Sequence, residues 1–133
     1  MAADISPVLH YPDIEEAVEW LGRTFGFTAH ALHRAPGGAV AFAELAFDGT
    51  YVGLGGAAEE GSPFDLGPAA VYVVVDSPAR VDELFERASG AGAEVVMEIV
   101  DQPYGSHEFA VRDHAANVWC FGTFRPGSSP ASD

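Results

Sequence analysis

The chain has 133 residues, 48% of them hydrophobic, which suffices for one compact domain or for two half-size modules with a shared core. Its formal net charge is −14, and six arginines without any lysine cannot form a basic patch, so we expect no nucleic-acid partner. It lacks an apolar run of membrane length and a signal sequence, and its single cysteine, Cys120, cannot form an internal disulfide. We therefore expect a cytoplasmic protein without membrane contact. The acidity either keeps it soluble or attracts a cationic ligand.

The first half of the chain is predicted to be βαβββ. Residues 5–11 alternate in polarity as a half-buried strand does. Asp13 and Glu16 have the spacing of a capping box at the start of a helix, and Gly26 predicts its end. Asp48-Gly49 is typical of a tight hairpin turn. Three strands are predicted after the helix: 28–33, 40–47 and 50–55.

The second half repeats this order after a loop rich in glycine, proline and acidic residues. Ser77-Pro78 predicts a helix start, and Gly90 and Gly92 its end. Placing Asp13 over Asp76 aligns the two helices and indicates an internal duplication. The predicted strands are 71–75, 94–100, 107–112 and 118–124. We thus expect one domain with these parts: module 1 at about 5–55, a linker at 56–68, module 2 at about 69–124, and a flexible tail at 125–133.

The predicted fold is α+β, with both modules forming a curved, mostly antiparallel, cup-shaped sheet and the helices on its outer face. Alternation along the strands assigns one set of side chains to the core against the helices: Leu9, Leu45, Phe47, Val52, Leu54, Val71, Val73, Val75, Trp119 and Phe121. The opposite set would line the cup: Ser6, Val8, His10, Phe42, Glu44, Gly53, Tyr72, Val74, Cys120 and Gly122.

The segment from Arg112 to Trp119, Arg-Asp-His-Ala-Ala-Asn-Val-Trp, resembles the turn before the last strand in the vicinal oxygen chelate superfamily. This superfamily includes glyoxalases, bleomycin-resistance proteins and extradiol dioxygenases. Ala116 stands at a position where the family carries glycine, whereas Asp113 and Asn117 match. Phe25-Gly26-Phe27 and Ala43-Glu44-Leu45 also resemble the family pattern, so the resemblance covers almost the whole chain.

The resemblance implies that metalloenzymes of the family hold their ion from the first, fifth and eighth strands. The corresponding residues are Ser6, Ala70 and Cys120, none of which is a usual ligand for such a site. We therefore predict no metal and no cofactor. The alternative is an unorthodox site of His10, Glu44 and Cys120, which would make the protein a metal-dependent lyase, isomerase or dioxygenase. The other histidines are expected to be solvated surface groups: His30, His33, His107 and His114.

The aromatic side chains of the cup and its flanks could sandwich a flat ring system, and Glu44 or Glu108 could pair with a cation. The predicted ligand contacts are His10, Phe42, Glu44, Phe64, Tyr72, Tyr104, Glu108 and Cys120. No residue is expected to be catalytic, because a Cys-His pair of Cys120 and His10 is disfavoured against a small buried thiol.

The resemblance to bleomycin-resistance proteins implies a metal-free homodimer that sequesters an aromatic or cationic antibiotic-like molecule without chemistry. A third hypothesis is purely structural. In it the cup is a dimer interface and the protein has no ligand.

Overall fold

The computed structural model describes residues 5–127 and divides the chain into two compact units, Met1–Ala69 and Ala70–Asp133. Module 1, in the first unit, contains these elements: β1 Val8–Tyr11, α1 Ile14–Phe25, β2 Thr28–Arg34, β3 Val40–Phe47 and β4 Thr50–Gly56. Module 2, in the second unit, contains the following: β5 Ala70–Val74, α2 Pro78–Gly90, β6 Glu94–Asp101, β7 His107–Arg112 and β8 Val118–Gly122.

Each module forms a four-stranded sheet in which the first and last strands of the module are parallel neighbours. The orders are β1-β4-β3-β2 in module 1 and β5-β8-β7-β6 in module 2, and the other neighbouring pairs are antiparallel. This confirms the predicted α+β fold of two βαβββ modules. Neither helix within residues 5–127 is long and apolar enough to cross a membrane.

The predicted capping and turn residues have the geometry that the sequence indicates. The Asp13 carboxylate accepts a hydrogen bond from the Glu16 backbone N–H at 3.1 Å and caps α1, which ends at Gly26 with φ of 89°. The Ser77 hydroxyl caps α2 in the same way. Asp48 and Gly49 both have positive φ, 46° and 81°, which is the geometry of a tight hairpin turn.

The helix-facing side of each sheet is the core, as the strand alternation predicts. In module 1, Phe27 stacks on Phe47 at 4.8 Å between ring centroids. In module 2, Phe85 of α2 meets Phe109 edge-on at 5.3 Å, and Phe109 stacks on Phe121 at 5.5 Å. Trp119 is also fully buried, which confirms its assignment to the core.

The turn between β7 and β8 is built around the buried carboxylate of Asp113. One of its oxygens accepts hydrogen bonds from the backbone N–H groups of Ala115 and Asn117, both at 2.9 Å. The other accepts from the Trp119 indole at 3.0 Å, so the turn is tied to the core. Ala116 has a φ of 69°, a left-handed conformation that costs about 1 to 2 kcal/mol for a residue with a Cβ.

Two predicted strand ends differ from the structure by more than one residue, each because of a contact distant in sequence. β1 begins at Val8, because Ile5 is exposed and the Ser6 hydroxyl donates to the Tyr51 carbonyl at 2.6 Å. β8 ends at Gly122, because the backbone N–H of Phe124 donates to the Tyr72 hydroxyl at 3.0 Å. Residues 125–127 are exposed, and the rest of the predicted flexible tail lies outside the described residues.

Candidate functional site

The sheet face of module 2 that points away from α2 brings together three of the predicted ligand contacts. Phe109 packs on α2, so its neighbour Glu108 points to the opposite side. The register places Glu108 opposite Gly122, and Cys120 opposite Tyr72. Tyr72, Glu108, Cys120 and Gly122 therefore share one surface, here called the module 2 face.

Glu108 is the buried carboxylate of this face, with a relative exposure of 4%. Its Oε2 atom accepts hydrogen bonds from the Tyr104 hydroxyl at 2.8 Å and from the Gln102 amide at 3.3 Å. Its Oε1 atom is buried without a hydrogen-bond partner among residues 5–127. Leaving a buried acceptor unsatisfied costs about 1 to 3 kcal/mol, and more for a charged group, so this oxygen calls for a functional explanation.

The short connection between β6 and β7 supplies both donors to Glu108. The Gln102 backbone N–H donates to the Ser106 carbonyl at 2.8 Å, and the Gly105 N–H donates to the Gln102 carbonyl at 2.9 Å. Gly105 has a φ of 93°, which favours glycine at this point of the turn. The turn thereby holds Gln102 and Tyr104 over one oxygen of the carboxylate.

Tyr72 is anchored through its hydroxyl. That hydroxyl lies 2.8 Å from the Ser106 hydroxyl and accepts the N–H of Phe124. Gly122 makes room for this arrangement, since a Cβ there would lie 2.7 Å from Ser106 Oγ and 2.9 Å from Glu108 Cβ. The polar end of Tyr72 is thus used inside the protein, and only its ring is left for a ligand.

Two ionisable groups of the face have strongly raised pKa values. The hydrogen bond to Glu108 raises the pKa of Tyr104 to about 12, because ionised Tyr104 could not donate to the carboxylate. Burial, reinforced by the charge of Glu108, raises the pKa of Cys120 to about 12. The thiol therefore stays protonated near neutral pH.

The corresponding face of module 1 carries His10, Phe42 and Glu44. The ring of Phe42 lies over Gly53, where an added Cβ would approach Phe42 Cζ to 2.6 Å. His10 Nδ1 lies 2.8 Å from the Gly56 carbonyl, so this nitrogen carries the proton. Glu44 is 40% exposed and already bonded to His33 Nε2 at 2.5 Å.

Phe64 lies on the segment between β4 and β5, and its side chain is exposed. Its role as a ligand contact stays a prediction.

Sequence reasoning missed Ser106 and Gln102, whose polar side chains support Tyr72 and Glu108. The signal available was the turn sequence Gln-Pro-Tyr-Gly-Ser, which carries polar groups at both ends.

His107 departs from the prediction of a solvated histidine. Its side chain is 18% exposed, and its two ring nitrogens lie 2.7 Å from carboxylate oxygens of Asp82 and Asp101. Two carboxylate partners require that both nitrogens donate, so the ring is an imidazolium ion. The hydrogen bonds to Asp82 and Asp101 raise the pKa of His107.

The residues at the family's metal-ligand positions do not fit a divalent ion. The Ser6 hydroxyl is bonded to the Tyr51 carbonyl, Ala70 offers no donor atom, and the single thiol of Cys120 cannot hold an ion by itself. Within the described part of the chain, no three His, Cys, Asp or Glu side chains are grouped closely enough to share a metal ion. We therefore derive no chemistry through a metal at these positions.

Comparison with known proteins gives one family. The model of the Glyoxalase/Bleomycin resistance protein/Dioxygenase superfamily matches residues 6–121. TioX from Micromonospora sp. ML1 is similar at 31% identity over 90% of this chain and 98% of that one, with a TM-score of 0.74. Among curated proteins none matches.

Two further solved structures share the fold at lower identity. A glyoxalase/bleomycin resistance protein/dioxygenase from Nocardioides is 22% identical over 99% of this chain and 90% of its own, with a TM-score of 0.69. Lactoylglutathione lyase from Agrobacterium tumefaciens is 21% identical over 91% of this chain and 93% of its own, with a TM-score of 0.70.

Proposed function

The chain belongs to the Glyoxalase/Bleomycin resistance protein/Dioxygenase superfamily, and we propose that it is a metal-free member that binds a small organic molecule. In this proposal the protein sequesters an aromatic or cationic antibiotic-like ligand and performs no chemistry on it. In module 2 the proposed ligand contacts are Tyr72 and Glu108, and in module 1 Phe42 offers a separate aromatic surface.

The observation that carries the proposal is the hydrogen bonding of the Glu108 carboxylate on the module 2 face. A buried carboxylate is held by two donors on one oxygen and has a second oxygen without a partner. Such a fixed polar group beside an aromatic ring is typical of a small-molecule site, where a few polar groups orient a mostly apolar ligand. The mismatch of Ser6, Ala70 and Cys120 to a divalent ion supports binding without a metal.

Aromatic contact supplies the second part of the proposal. The ring of Phe42 lies over Gly53, and the ring of Tyr72 is anchored through its hydroxyl. Stacking on such a ring contributes about 0.5 to 1.5 kcal/mol beyond the burial of apolar area. A planar ligand that stacks on one of these rings would therefore lose affinity several-fold when that ring is removed.

The proposal also includes a homodimer. Each sheet has two edge strands, β1 and β2 in module 1 and β5 and β6 in module 2, whose open edges a second copy could cover. Light scattering of the purified protein at micromolar concentration should give the mass of two chains. A mass of one chain would contradict this part of the proposal and leave ligand binding to be judged separately.

Two measurements test the function itself. Elemental analysis should find no stoichiometric zinc, nickel, iron or manganese, and a full equivalent of any of them would favour a metal-dependent enzyme. A calorimetric screen against cationic glycopeptide, quinone and intercalating peptide antibiotics should find a ligand that binds below about 100 μM, or roughly 5 to 6 kcal/mol. If no compound reaches that affinity, the binding function is wrong.

A further inference from the structure

The two carboxylates predicted to meet a ligand cation, Glu44 and Glu108, are in opposite states. Glu44 is 40% exposed and is hydrogen-bonded to His33. Glu108 is buried, and its two hydrogen bonds come from the uncharged Tyr104 and Gln102. Water screens the charge of an exposed carboxylate, whereas a buried one acts at full strength on a partner placed beside it. Glu108 is therefore the stronger anchor for a cation.

We infer that Glu108 binds a protonated nitrogen of the ligand through its unpartnered Oε1 atom, and that the ligand is accordingly an organic cation carrying a planar aromatic system. This inference rests on the proposed function and specifies the ligand class of the same site. The Tyr72 ring lies on the same sheet face, so one ligand can stack on the ring and donate to the carboxylate.

The geometry of the β6–β7 turn explains how the carboxylate is prepared for a cation. Tyr104 and Gln102 fix the orientation of Glu108 from one side, through Oε2. Gln102 keeps its hydrogen bond when the ligand displaces Tyr104, so the carboxylate reorganises little and less of the interaction energy is lost to ordering. Within residues 5–127 no group donates to Oε1, which leaves one strong acceptor for the ligand.

Access to the carboxylate involves Tyr104, which is bonded to its other oxygen, Oε2. Its side chain is 53% exposed, and it covers Glu108 through a single hydroxyl hydrogen bond and an edge-on contact with Phe124 at 5.6 Å. An arriving cation that donates more strongly than a neutral hydroxyl displaces Tyr104 from the carboxylate. The tyrosine hydroxyl is then a competitor of the ligand, and its removal should favour binding.

Proflavine and acridine form a matched pair of probes, because both have the same three fused rings and only proflavine is a cation near neutral pH. Fluorescence titration of the full chain should show that proflavine binds about tenfold tighter than acridine or more, as expected for a charge-assisted hydrogen bond. Glu108→Gln should remove most of this preference and change acridine affinity less than about twofold. Glu86→Gln is the control, since it removes the same charge from the exposed side of α2.

Tyr104→Phe provides a second variant on a half-exposed side chain, where folding is not at risk. It should raise the affinity for proflavine several-fold and leave acridine unchanged. The inference is overturned if Glu108→Gln keeps the preference for proflavine, if Glu86→Gln removes as much of it, or if Tyr104→Phe lowers it.

These outcomes separate the inference from the proposed function. The wild type could bind both dyes equally, or bind only neutral compounds of the antibiotic screen. Either result would contradict the role of Glu108 and leave small-molecule binding intact. A protein that binds neither dye and no compound of the screen contradicts both.

Discussion

The two modules have the same strand order and differ in the polar groups on the sheet face opposite the helix. In module 1 the strand next to β1 carries Gly53 under the Phe42 ring, and Glu44 is exposed and paired with a histidine. In module 2 the equivalent strand carries Gly122 under the Tyr72 hydroxyl, and Glu108 is buried with one free oxygen. A duplicated backbone thus supports an aromatic surface in one copy and a fixed carboxylate in the other.

The largest expected effect is on the module 2 core. Trp119→Ala removes a fully buried ring and the indole hydrogen bond to Asp113, and should lower the free energy of unfolding by about 3 to 5 kcal/mol. Urea denaturation followed by circular dichroism measures this loss. An unchanged midpoint together with loss of ligand binding would mean that Trp119 belongs to a ligand site rather than to the core.

Adding a methyl group to the two glycines compares the two faces directly. In Gly122→Ala the new Cβ meets Ser106 Oγ at 2.7 Å and Glu108 Cβ at 2.9 Å, so we expect a loss of about 1 to 3 kcal/mol. In Gly53→Ala it meets the far end of the Phe42 ring, which can turn aside at lower cost. Thermal unfolding of both variants should give the larger decrease for Gly122→Ala. Equal decreases would count against a tighter polar network in module 2.

The hairpin turns at corresponding places in the modules differ in their left-handed residue. Module 1 has Gly49 with φ of 81°, and module 2 has Ala116 with φ of 69°. Ala116→Gly should relieve the strain of the Cβ, and after the entropy cost of glycine it should stabilise the protein by about 0.5 to 1 kcal/mol. Gly49→Ala should destabilise it by a similar amount. A destabilised Ala116→Gly variant, measured by thermal unfolding, would contradict the strain.

The smallest effect concerns the charged histidine that precedes Glu108. The carboxylates of Asp82 and Asp101 raise the pKa of His107 above its ordinary value of 6.5. Because the folded pKa is the higher one, this stabilisation is fully present below 6.5 and is lost as the pH rises through the folded value. The melting temperature of the wild type relative to His107→Gln should therefore fall with rising pH over that window. A difference that is constant with pH would show that His107 does not titrate as an ion pair.

Elements with local signals could be predicted from the sequence. The cap of Asp13, the Asp48-Gly49 turn and the bounds of β7 follow from residues within a few positions of one another. The start of β1 and the end of β8 could not, because they depend on hydrogen bonds between residues 45 and 52 positions apart in the chain. Local pattern carries no information on such contacts.

The candidate site also contains residues that local pattern predicts and residues that it does not. Alternation predicts that Tyr72 and Cys120 share a face, since it requires only the period of a strand. The support from Ser106 and Gln102 depends on the conformation of the β6–β7 turn and on the space left by Gly122. His107 was misjudged because its partner Asp82 lies on α2, 25 positions away.

The central claim is that this protein binds an organic cation through Glu108 without a metal ion. The most direct test is a calorimetric titration of proflavine into the chain after treatment with a chelator, for the wild type and for Glu108→Gln. The account predicts that chelation leaves the wild-type affinity unchanged, whereas Glu108→Gln lowers it about tenfold or more. Binding that disappears on chelation and returns with added zinc or nickel, or that is equal in the two proteins, would contradict it.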